Sequence, residues 1–142
     1  MIYLKKFEKL EDNKLNNKLL SAVKNGNVLL VKNLIPHCNL EYKKWGESFL
    51  IIATINNNIE IVKLLLEFGA NVDSVDKQER TSLMWASYGI RLEIVKLLIK
   101  YGANVNLVDN ENWTALYWLS KNFSGLNKRY YENNKHCRFN KS

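Results

Sequence analysis

The chain has 142 residues, a formal net charge of +7, 46% apolar residues and a mean hydropathy of −0.30. That length suits one domain with a buried core. The longest apolar run, Phe49–Ala53, falls far short of the ~20 residues needed to span a bilayer, so no membrane span is expected. The two cysteines, Cys38 and Cys137, make no disulfide framework, and the mixed-charge N-terminus lacks the apolar core of a secretory leader.

In chain order, residues 1–17 come first. "YLKKFEKLEDNKL" sets Leu4, Phe7 and Leu10 near helical spacing among charged residues, which predicts a short amphipathic capping helix. Beyond it the chain repeats itself. "EIVKLLLEFGANV" at 60–72 returns as "EIVKLLIKYGANV" at 93–105, with ten of thirteen letters identical at a step of 33. Ser48 and Thr81, Leu50 and Leu83, and Ala53 and Ala86 keep the same step, and Thr114 and Leu116 open a further copy. Upstream, Val31–Lys32 matches Val62–Lys63 at a step of 31. The units are about 18–44, 45–77, 78–110 and a partial 111–126, followed by a basic segment, 127–142, expected to be disordered.

Each unit reads as turn, helix, turn, helix. Asp76 and Asp109 open turns, and Thr81 and Thr114 are candidate helix N-caps. The third unit predicts a first helix over Ser82–Tyr88 and a second over Leu92–Tyr101, whose apolar face holds Ile94, Val95, Leu97 and Leu98. Gly69 and Gly102 stop the second helices, where the chain needs positive φ. In the fourth unit the corresponding slots hold Asn127, Lys128, Tyr130 and Tyr131, the mark of a polar end cap or of a longer array cut short.

The pattern T-x-L-x-x-A, E-I-V-K-L-L and G-A-N-V resembles the ankyrin repeat over about residues 18–122. The resemblance implies an all-α solenoid of helix-turn-helix units joined by β-turn or hairpin loops. It also implies a non-enzymatic module that binds a protein partner through its concave face and turn tips. The chain departs from the family's T-P-L-H: the proline slot holds Phe49, Ser82 and Ala115. The usual turn glycine survives as Gly46 but becomes Glu79 and Asn112, so the turn before Thr81 is expected to be strained or reshaped.

Carried across residue by residue, the family's partner-facing slots fall on Lys44, Trp45 and Glu47, on Lys77, Gln78 and Arg80, and on Asn110, Glu111 and Trp113 at the tips. At the first-helix ends they fall on Ile55, Tyr88 and Lys121. Trp85 and Trp118, one register inward, are expected in the core.

No phosphate-loop, dinucleotide or zinc-protease motif is present, and no catalytic residue or cofactor is expected. His37 and His136 each adjoin a cysteine, but the pairs lie 99 residues apart, too far along a solenoid to share a metal. Residues 123–142 carry +4 of the net charge with interleaved aromatics, so tail-mediated binding of nucleic acid or another acidic surface is the alternative function, and a relic of a longer array is another. The expected protein is monomeric and intracellular, cytoplasmic unless delivered into a host cell.

Overall fold

The structure is a computed structural model that describes the backbone of residues 1–133 and the side chains of 1–125. Paired helices stack unit upon unit. The elements are α1 (Ile2–Lys24), α2 (Val28–Leu34), a 3-10 turn (Ile35–His37), β1 (Lys43–Lys44), β2 (Glu47–Ser48), α3 (Phe49–Ile55), α4 (Ile59–Glu67), α5 (Ser82–Tyr88), α6 (Leu92–Lys100) and α7 (Ala115–Asn133). First helices α1, α3, α5 and α7 form one layer and second helices α2, α4 and α6 the other, each packed on the unit before it.

The repeated letters explain the local structure. Ser48, Thr81 and Thr114 accept from the backbone N–H of Ile51, Met84 and Tyr117, each a cap three residues ahead. Asn27 and Asn58 do the same for α2 and α4. Gly69 and Gly102 both sit at φ +86° just past their helices, a conformation that costs glycine almost nothing. Asn71 and Asn104 then accept from the N–H two residues on and begin the next turn. Between the layers lies one apolar core, with Leu19, Val31, Leu50, Ile61, Leu65, Met84, Ile94 and Leu98 fully buried.

The first hairpin differs from the later turns. Lys44 pairs with Glu47 around a two-residue loop, Trp45–Gly46, at φ 57° and 92°. Positive φ at both positions is the signature of a type I′ turn. Glu79 and Asn112, in the slot of Gly46, adopt φ 59° and 60°. The expected strain at Glu79 is therefore present, since a glutamate tolerates the left-handed region poorly.

Three expectations need correction. Residues 1–17 are not a separate cap, because α1 runs unbroken into the first unit. No proline or glycine interrupts it, and extending a helix costs less than nucleating a new one. Leu4, Phe7 and Leu10 are 68%, 65% and 59% exposed, so they cap nothing among the described residues. At the other end α7 continues through 127–133, residues assigned to the tail; 134–142, with His136 and Cys137, lie outside the described residues. In α6, Ile94 and Leu98 are buried while Val95 and Leu97 are half-buried.

Candidate functional site

Turn geometry places the aromatic and basic residues. Asp76 is buried at the start of its turn. Its Oδ1 accepts from the N–H of Gln78 and Arg80, and its Oδ2 from Arg80 Nε at 2.8 Å and the Trp85 indole at 3.2 Å. Asp109 repeats the device 33 residues later: Oδ1 accepts from the N–H of Glu111 and Trp113, and Oδ2 from the Trp118 indole at 2.8 Å. One carboxylate thus shapes the tip and aims an indole from the first helix.

Trp85 and Trp118 are accordingly only half-buried, Trp118 with one side against the core. An indole needs a partner for its N–H, which the apolar interior does not supply. Ile52, in the same slot of the second unit, has no such demand and is 6% exposed. The sequence did carry a signal: an aspartate nine residues before a tryptophan, twice.

Around these anchors the partner-facing slots form cation–aromatic groups. Trp113 lies 4.7 Å from Tyr117 and 5.5 Å from Trp118, centroid to centroid, and Tyr88 meets Trp118 edge-on at 5.4 Å. Lys121 Nζ sits 3.8 Å from the Trp113 centroid and 5.3 Å from that of Trp118, within range of cation–π attraction. Arg80 stacks on Trp85 at 4.4 Å, and at the first hairpin Lys24 and Lys44 each lie 5.0 Å from the Trp45 ring. Trp45 itself is 66% exposed. Sequence reasoning missed Lys24, Tyr117, Trp85 and Trp118 as members of these groups, because only their neighbours in space reveal them.

The remaining assigned positions divide. Tyr88, Lys77, Gln78, Asn110, Glu111 and Lys121 are exposed, and Lys44, Glu47, Ile55, Arg80 and Trp113 are half-buried. Several also join one unit to the next. Asn110 donates its N–H to the Gln78 carbonyl at 3.1 Å, and Lys44 Nζ reaches Asn17 at 2.7 Å. The structure brings Tyr88, Trp113 and Lys121 together and keeps Trp45 with Lys24 and Lys44 in a separate group.

No cluster of three or more potential metal ligands occurs among the described residues. His37 is exposed, and the half-buried Cys38 thiol is free, its pKa raised by desolvation. No helix among the described residues is long and apolar enough to cross a membrane.

Comparison with known proteins agrees with this architecture. The ankyrin repeat family matches residues 19–109 and 79–128, with three copies of the repeat. An ankyrin repeat protein of Borreliella burgdorferi is 33% identical over 61 residues, 43% of this chain and 26% of the relative. The chain therefore spans about a quarter of that relative's length. With the helical pairs, the glycine stops and the 33-residue step all in place, the chain belongs to the ankyrin repeat family.

Proposed function

We propose that this protein is a non-enzymatic module that binds a protein partner through the concave face and turn tips of its stack. Ankyrin repeats generally mediate protein–protein interaction and are typically not enzymes. The observation that carries the reading is the cation–aromatic group of Tyr88, Trp113, Tyr117, Trp118 and Lys121. Tryptophan, tyrosine and cationic side chains held in one patch are the composition of interface hot spots. The scaffold letters repeat between units while the slots of Tyr88, Trp113 and Lys121 vary, which separates the demands of folding from those of recognition.

The test is capture of a partner from cell lysate by the wild-type chain, followed by affinity measurement on variants. Trp113→Ala and Arg80→Ala should weaken binding by at least about 1–2 kcal/mol, with folding verified by circular dichroism. Glu67→Ala and Lys100→Ala, on the exposed second helices, should change it by less than about 0.5 kcal/mol. Loss of binding in the second-helix variants with normal binding by folded tip variants would move the partner to the convex side.

A further inference from the structure

The two ends of the stack are complementary in what they expose. At the C-terminal end, Leu83, Val95, Ile99, Val105, Leu116 and Leu119 line an open apolar groove of about 480 Å³. The repeat explains its origin. Val62 and Leu66 of α4 are 0% and 4% exposed because α6 of the next unit lies beside them. Their counterparts one unit later are Val95, half-buried, and Ile99, 52% exposed. Leu83 is 3% exposed and its counterpart Leu116 is 74% exposed. Among the described residues α7 runs on as one helix, and no second helix returns to lie on α6. The groove is thus the next step of the stacking interface already present between α4 and α6, with its seat for a helix of about nine residues open.

At the N-terminal end the first twelve residues are all exposed, and all but the first are helical. Tyr3, Leu4, Phe7 and Leu10 fall on about a third of that helix's circumference at 3.6 residues per turn. Among the described residues one end therefore lacks a helix, and the other presents an uncovered one of sufficient length.

We propose that this arm of one copy seats in the C-terminal groove of a second copy, continuing the stack from chain to chain. Such a contact is heterologous: every open assembly keeps one unused arm at one end and one unused groove at the other, so association is open-ended unless the rotation closes a ring. The contact uses the end faces of the solenoid and leaves the tips and first-helix ends uncovered, so it stands independently of the partner-binding reading.

Sedimentation velocity from micromolar to several hundred micromolar chain tests it with two variants. Phe7→Glu spoils the arm and Ile99→Glu the groove; both positions are exposed, so neither change opens the core. The wild type should grow in mean mass with concentration past the dimer. Each variant alone should associate at least tenfold more weakly. An equimolar mixture should form a one-to-one pair and stop there, because only the Ile99→Glu arm and the Phe7→Glu groove remain usable. Four outcomes overturn the proposal: a wild type that stays monomeric throughout, as it would if residues 126–142 or an unrelated protein fill the groove; single variants that associate like the wild type; a mixture that stays monomeric; or a mixture that grows beyond the pair.

Discussion

The Arg91 guanidinium donates to the Ile55 carbonyl of the preceding unit at 2.9 Å and to the Trp85 carbonyl of its own at 3.1 Å. Ile55 is the last residue of α3, and the equivalent residues Lys24 and Tyr88 also accept from the unit that follows. Their donors are the side-chain amides of Asn56 and Asn122. In the third unit that asparagine slot holds Gly89, and a Cβ there would collide with the Arg91 guanidinium. Gly89 and Arg91 are a matched pair: the glycine clears the space through which the arginine reaches back.

Arg91→Ala should therefore destabilise by about 1–2 kcal/mol, since it strands the Ile55 carbonyl and leaves the Trp85 carbonyl only the Gly89 N–H. Gly89→Asn should be harmful alone but should recover part of the loss when combined with Arg91→Ala, by restoring the asparagine ladder. Urea unfolding of the four chains gives the coupling. Additive effects would mean the two positions do not share the site.

Ser82 occupies the first position of α5, and its hydroxyl is buried with no hydrogen-bond partner among the described residues. A buried unpaired hydroxyl is costly, and proline suits the first helical position. Ser82→Pro should raise stability by about 1 kcal/mol, read as a higher melting temperature. A lower one would show that the Ser82 N–H or its backbone geometry is needed.

Trp45 holds the first position of a type I′ turn at φ 57°, where asparagine is far better suited. Trp45→Asn should stabilise the fold by about 0.5–1 kcal/mol while weakening capture of the partner. Such strain is retained where function requires the side chain. Equal or stronger binding by the more stable variant would remove Trp45 from the site.

Depth within α6 predicts a ranking. Leu98, fully buried, should lose about 2–5 kcal/mol on truncation to alanine, and Leu97, half-buried, clearly less. Thermal unfolding of both variants measures the order, and a larger loss at Leu97 would break the register.

Much of this fold was legible because the local signals agree. Thr81 begins α5 and Gly102 follows α6, and the bounds of α5, Ser82–Tyr88, coincide with those predicted. Leu97 and Leu98 show where periodicity stops: both lie on the apolar face, but only packing decides which faces its centre. Family slots singled out Trp45, Tyr88, Trp113 and Lys121, and the structure sets each of them in a cation–aromatic group. Trp85 and Trp118 were expected in the core because they stand one register inward of the tips, whereas the indole N–H and a buried aspartate hold them half-buried. The Arg91–Ile55 contact joins residues 36 apart and leaves no trace in any helical pattern.

In each inter-unit bond of this ladder the acceptor precedes the donor: Lys24 before Asn56, Ile55 before Arg91, Tyr88 before Asn122. A nascent chain leaving the ribosome therefore presents each carbonyl before the side chain that will claim it has been made. Every new unit thus finds its acceptors already synthesised, an order that suits docking in the direction of translation. A chain arrested between two units leaves at most its final carbonyl waiting, and everything upstream is already joined.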